Sequence, residues 1–274
     1  MATRRLLVTL AGIGVALLLG ATAGAVSEFV GLPVVVTAAM ALALGVTVGA
    51  IIRALRTPGA LFASVLGGVL GVVAVGASAI TDLALARSKA ATEASASQSQ
   101  DPDAAVRRWE AETLGEPGAS AFLRHRTRRG APWLTGRRLD LGTATNAVVF
   151  GVETLLAAAI AALLARRATS RSFCARCEAW FVRDTLGRAP LGSVATIVAA
   201  IEQREWHRLG RRVATSTAGP LDVAVEHCPT CPSGSAWLEL GETEGRRRTI
   251  LRRVAVDGAA LREMRESQAM RTGA

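Results

Sequence analysis

The chain has 274 residues, 50% of them hydrophobic, and a mean hydropathy of +0.33, which suits a small membrane bundle carrying one or two small water-facing modules. Its net charge is +10, yet all of its 32 basic residues except Lys89 are arginine and Tyr is absent, the imprint of a GC-rich genome rather than of phosphate binding. No region is basic enough to require nucleic acid, and no Gly-Lys-Ser loop, HExxH or serine elbow is present, so no enzyme is expected.

Residues 1–80 hold three apolar runs, about 6–26, 33–52 and 59–80, each close to the 20 residues that cross a hydrocarbon core of roughly 30 Å. Arg4 and Arg5 precede the first run, and small residues at 21–25 give it the look of a secretory signal. A second run follows at once, so an uncleaved first helix is expected. Small residues recur four apart at Gly12, Ala16, Gly20 and Gly24, at Ala41, Gly45 and Gly49, and at Gly67 and Gly71. Such spacing clears one face of a helix for close approach of a neighbour, so these stripes are expected as helix contacts and as a route to oligomers.

The short loops set the orientation. Residues 27–32 carry Glu28 and no base, whereas Arg53, Arg56, Arg166, Arg167 and Arg171 flank the other helix ends. With the N-terminus inside, all of these arginines fall inside, and so does the C-terminus. Residues 81–143 then form an extracytoplasmic loop, although they contain ten bases, because a segment that long escapes the charge rule. Within it, 92–103 reads as a flexible linker, 104–114 as a short amphipathic helix, and 121–141 as arginines interleaved with apolar side chains. Arg124, Arg126, Arg128, Arg129 and Trp133 are candidate contacts to lipid headgroups, with a plain re-entry loop as the alternative.

A fourth span, 144–165, contains Glu153. A carboxylate within the hydrocarbon costs about 3 kcal/mol if charged and marks a candidate intramembrane polar site. With no second acid or base inside the runs, the expected role is structural, a protonated Glu153 bonded to a hydroxyl such as Thr37 or Ser64.

Residues 166–274 carry all four cysteines, as the pairs Cys174/Cys177 and Cys228/Cys231. Each CxxC turn points two thiolates at one ion, and two turns supply the four sulfurs of a tetrahedral structural Zn²⁺. A redox dithiol is the rival, but it needs a βαβ setting that the pattern lacks. Around the pairs, strands are expected at 178–182, 221–226, 236–240 and 249–256, a turn at 241–245, a helix over 190–212 and a last helix over 258–268 capped by Asp257. Phe173, Trp180 and Trp237 are expected to form a small core that metal supplements. His227 adjoins Cys228 without being needed as a ligand, and His125 and His207 read as ordinary polar residues.

The pattern strand–CPTC–strand–strand over about 172–256 resembles a zinc ribbon, and the whole layout is similar to bacterial multi-helix membrane proteins that end in a cytosolic CxxC…CxxC module. The resemblance implies a metal site and no particular activity. The expectation is therefore an α-helical membrane protein of four transmembrane helices with a small α+β zinc-ribbon-like cytosolic domain, located in the inner (cytoplasmic) membrane. Its zinc module would dock a protein partner at the inner leaflet, with membrane lipids as further partners and nucleic acid not expected. The alternative is an oligomeric transport or ion-coupled membrane protein using Glu153.

Overall fold

A computed structural model describes residues 2–30, 33–96, 101–129, 132–133, 137–138, 143–213, 219–231, 236–244 and 247–272. The chain divides into two compact units, Met1–Ser170 and Arg171–Ala274.

In the first unit, four helices are long and apolar enough to cross a membrane. They are α1 (Ala2–Val30), α2 (Pro33–Ala54), α3 (Ala60–Ala96) and, after the connecting segment, α6 (Thr143–Ala168). All four extend beyond their apolar runs, because hydropathy marks what suits lipid and not where helical hydrogen bonding ends. The difference is greatest for α3. Its 37 residues extend roughly 55 Å, so it continues far past a bilayer-length span. Residues 92–96, expected as linker, complete its last turns, and Pro102 and Asp103 of the same expected linker open α4 (Pro102–Trp109), where Asp101 accepts from the Asp103 N–H at 3.1 Å. Residues 97–100 lie outside the described ones. A π-helical turn, Glu110–Leu114, follows α4. The buried Glu110 there accepts from Arg87 Nε at 2.7 Å and Nη2 at 2.5 Å, which folds α4 back onto α3. Next come α5 (Ala119–Arg129) and the pair β1 (Pro132–Trp133) and β2 (Arg137–Arg138).

Glycine contacts fix how the bundle runs. A Cβ on Gly12 would strike Leu70, on Gly20 the Ala74 carbonyl oxygen, and on Gly24 the Ser78 oxygen at 2.7 Å, so α1 and α3 are parallel. Gly45 faces Ala161 and Leu164 and Gly49 faces Ala168, so α2 and α6 are parallel too. Gly67 and Gly71 meet Ala161 and Ala158 in descending order, making α3 and α6 antiparallel. These small-residue stripes thus meet neighbouring helices within the unit, where the missing side chains let the backbones approach closely. One end of the bundle collects the start of α1, the end of α2, the start of α3 and the end of α6. It therefore carries Arg4, Arg5, Arg53, Arg56, Arg166 and Arg167, with Arg5 stacked 5.3 Å from the Phe62 ring centroid.

The two kinds of glycine yield a first prediction. At Gly20 the obstacle is backbone, whereas at Gly14 an added Cβ would meet nothing within 4 Å. Gly20→Leu should lower bundle stability by about 2 kcal/mol and Gly14→Leu by almost nothing, read as thermal midpoints in detergent. Equal midpoints would reject this packing.

The second unit is built on an antiparallel sheet of order β5-β6-β7-β8: β5 (Val182–Ala189), β6 (Leu221–His227), β7 (Ala236–Glu244) and β8 (Arg247–Val256). A separate hairpin, β3 (Phe173–Cys174) with β4 (Ala179–Trp180), precedes it. The long strand β5 goes unread in the sequence because it is mostly exposed and broken by a bulge between Thr185 and Gly187, so no apolar alternation marks it. Strands β7 and β8 run through most of the expected turn at 241–245, since cross-strand pairing continues to Glu244↔Arg247 despite polar side chains. One sheet face presents Leu221, Val223, Val225, Leu238 and Leu240 to helices α7 (Val194–Glu202), α8 (Trp206–Val213) and α9 (Gly258–Thr272). Asp257 caps α9, accepting from the Ala260 N–H at 2.8 Å.

The helix expected over 190–212 is instead a 3₁₀ turn, α7 and α8. Arg204 adopts φ +56° after α7, the Glu205 N–H donates to Ala200 O at 2.9 Å, and the Arg204 N–H donates to Ile201 O at 3.2 Å. This is a Schellman ending. The end of α2 repeats it with Arg56 at φ +51° and the Thr57 N–H on Ile52 O at 3.0 Å. Glycine usually signals such an ending, and arginine hides it.

Candidate metal centre

Cys174 is the last residue of β3 and pairs with Ala179, and the four residues Ala175–Glu178 form the hairpin turn, where Glu178, at φ +48°, bends the chain into β4 and Cys177 is carried on the turn. The hairpin is closed by its backbone pairs and by Phe173 against Trp180, edge to face with centroids 5.0 Å apart. The second CxxC begins immediately after β6, whose last residues pair with β5, so a strand end delivers Cys228. The sulfurs of Cys174, Cys177 and Cys228 lie within 4.8 Å of one another, and Cys228 is only 2% exposed. Residues some 50 apart in sequence thus converge at one point.

The close sulfurs shift one another's acidity in opposite directions. Partial burial, together with the sulfurs of Cys228, Cys231 and Cys174, pushes the Cys177 thiol up to about 12. The Cys174 thiol is held below its ordinary value, chiefly by the backbone N–H of Cys177. Several thiolates cannot share so small a space without a compensating positive charge, and a soft divalent ion is a charge that these three sulfurs could hold. Cys231 is half-buried and acts on Cys177, although it falls outside the close trio. Cys228 Sγ also lies 3.9 Å from Thr230 Oγ1. His227 is turned toward Asp184, with Nε2 3.7 Å from its carboxylate and a buried Nδ1 that has no hydrogen-bond partner among the described residues.

The sheet face opposite the helices carries a charged network that sequence reading misses. Asp222 accepts from Arg248 Nε at 2.9 Å and from Arg183 Nη2 at 2.5 Å. Glu239 takes Arg248 Nη1 at 3.1 Å and lies 3.7 Å from Arg183 Nε and 3.4 Å from Arg253 Nε. Arg253 also binds Glu226 at 2.7 Å and Ser172 at 3.1 Å, and stacks 4.9 Å from the Trp237 ring centroid. Both Asp222 and Glu239 are buried. Trp237 therefore belongs to this face and not to a core around the cysteines. The available signal was acids at alternate positions of apolar strands, in Leu221–His227 and Ala236–Glu244, facing arginines of β8.

In the helical unit, Thr37 Oγ1 donates to Glu153 Oε1 at 2.6 Å. Thr37 is about one turn, roughly 6 Å, from the start of α2, whereas Glu153 is roughly 15 Å along α6 from Thr143. Glu153→Gln keeps an acceptor for the Thr37 hydroxyl and should cost less than about 1 kcal/mol. A protein that keeps its thermal midpoint but fails to complement a deletion strain would contradict a structural Glu153. Arg124 pairs with Glu116 at 2.5 Å. Arg126, Arg128 and Arg129 belong to α5 and Trp133 to β1, and their side chains lie outside the described ones.

Comparison with protein families, with curated proteins and with solved structures finds no match to this chain.

Proposed function

We propose that the chain is an integral membrane protein of the cytoplasmic membrane, with both termini in the cytosol and a zinc-bearing tail that docks a protein partner at the inner leaflet. The observation that carries this reading is the convergence of Cys174, Cys177 and Cys228 from two distant CxxC segments. Cys231 completes a set of four thiolates of zinc-ribbon type, which closes the site and makes it structural rather than catalytic. The arginine-rich bundle end supports the orientation, since basic helix flanks stay in the cytosol. The docking surface is the open sheet face, where Trp237 and Arg253 offer the stacked aromatic and guanidinium common at interface centres.

Copurification from native membranes after crosslinking tests the reading. A partner protein should be retained by wild type, be lost at least tenfold with Arg253→Glu, and be indifferent to nuclease. Nuclease-sensitive retention would favour nucleic acid, and a reporter fused at residue 274 that faces outward would reject the topology. The second reading, ion-coupled transport through Glu153, draws on an apolar groove of about 200 Å³ beside that residue, lined by Val34, Val152 and Leu156 among others. Ion flux in proteoliposomes decides it.

A further inference from the structure

We propose that the crevice enclosed by α3, α5 and α6 seats one acyl chain of an anionic phospholipid, with its headgroup on the basic helix α5. The crevice holds about 260 Å³ and is almost wholly apolar, lined among others by Val72, Gly76 and Ile80 of α3, Phe122 and Leu123 of α5, and Phe150 of α6. That is smaller than the roughly 300–1,000 Å³ typical of cofactor and ligand pockets, and its α3 lining runs from Val72 to Leu83, about three turns of helix. Gly76 keeps it open, since a Cβ there would meet nothing within 4 Å, unlike the bundle glycines that contact a neighbouring helix.

Charge identifies the lipid. The sequence of α5, ASAFLRHRTRR, contains four arginines and no acid. Arg124 is paired with Glu116, so the charge offered to a headgroup is that of Arg126, Arg128 and Arg129, while Ala121 is 1% exposed and Phe122 and Leu123 turn into the crevice. It lies against Phe150 and Thr154 of α6, near the end of the bundle opposite the arginine-bearing helix ends. A helix with an apolar underside and a cationic remainder at that level belongs in the headgroup layer. Lipid tails are as apolar as leucine, so the crevice contributes shape and the arginines contribute selectivity. The inference rests on insertion of the helical unit in a membrane and is independent of the metal.

The test uses full-length protein reconstituted in vesicles of phosphatidylcholine with a minority of phosphatidylglycerol, extracted in mild detergent and weighed by native mass spectrometry. Wild type should retain one phosphatidylglycerol per chain, preferred over phosphatidylcholine by about tenfold or more. Gly76→Leu, which fills the crevice, should lose that lipid, while Gly14→Leu, at an equally open glycine of α1, should keep it. Arg126→Gln with Arg128→Gln should cut the preference about fivefold per arginine while leaving the protein inserted. Equal retention of the two lipids by wild type, or unchanged retention in Gly76→Leu, would overturn the proposal. So would a dimer that Gly76→Leu dissociates, since a second copy would then fill the crevice. Wild type recovered in the soluble fraction would overturn both this inference and membrane insertion, whereas inserted protein without lipid selectivity overturns this inference alone.

Discussion

Cys228→Ser in the full-length protein is expected to release the metal and open the hairpin at 173–180 while the four-stranded sheet stays folded. A structural zinc contributes on the order of 10–16 kcal/mol to the segment that it organises. Which segment that is follows from the packing. β3 and β4 are two residues each, joined by one aromatic pair, and a lone hairpin of that size is marginal in water. The sheet has a core of its own, with Leu221, Val223, Leu238, Leu240, Leu209 and Met264 all 0–1% exposed and no cysteine in the cluster. The sequence-based picture of a tail held together by metal and three aromatics gives way to a small cysteine-bearing hairpin beside an α+β core with its own buried cluster. Elemental analysis should find one zinc per wild-type chain and none in the variant. Hydrogen exchange should accelerate at 173–180 and stay slow at 221–225. Wild type without zinc, made under reducing conditions, would end the metal reading, and lost protection across β6 would mean that the metal supports the whole unit.

Glu239→Ala should be the most damaging substitution of a charge in the second unit, at about 3 kcal/mol or more. Glu239 is 3% exposed and faces three guanidiniums, and its loss leaves Arg183, Arg248 and Arg253 sharing two remaining carboxylates, Asp222 and Glu226. Removing one member of a buried ionic set costs far more than the set contributes net, because the desolvated partners lose their compensation. Gly241 shows how closely the network is packed, since a Cβ there would lie 2.7 Å from Asp222 Oδ1 and 2.8 Å from Arg248 Nε. The comparison is Glu202→Ala, whose partner Arg252 is 3.2 Å away but where both side chains are more than half exposed. That change should cost about 0.5 kcal/mol or less. For a unit of this size the first variant should melt roughly 15 °C lower and the second within a few degrees of wild type. Similar melting points for the two variants would sink the buried-network argument.

Much of this was legible in the chain. The four apolar helices follow from run length, the glycine contacts from fourfold spacing, the Thr37–Glu153 bond from a lone acid opposite a hydroxyl, and the cysteine convergence from paired CxxC. What escaped reading did so for physical reasons. Polar continuation of α3 past residue 80 carries no hydropathy signal, and Arg56 and Arg204 stand at left-handed helix endings where glycine would have announced the break. The charged network escaped because the pairing of Asp222 and Glu239 with arginines of β5 and β8 is a property of register, not of local sequence.

The place of α3 between its neighbours bears on how the protein is made. α1, α2 and α3 leave the ribosome in close succession, whereas α6 follows after a further 46 residues, by which time the glycine contacts of α1 with α3 can already have formed. The last helix then meets a finished template, with Gly67 and Gly71 of α3 and Gly45 and Gly49 of α2 lining the slot that it enters. Because synthesis runs from the N-terminus, this plan allows the first three helices to associate before α6 arrives to fill the slot, with the cysteine-bearing tail made last.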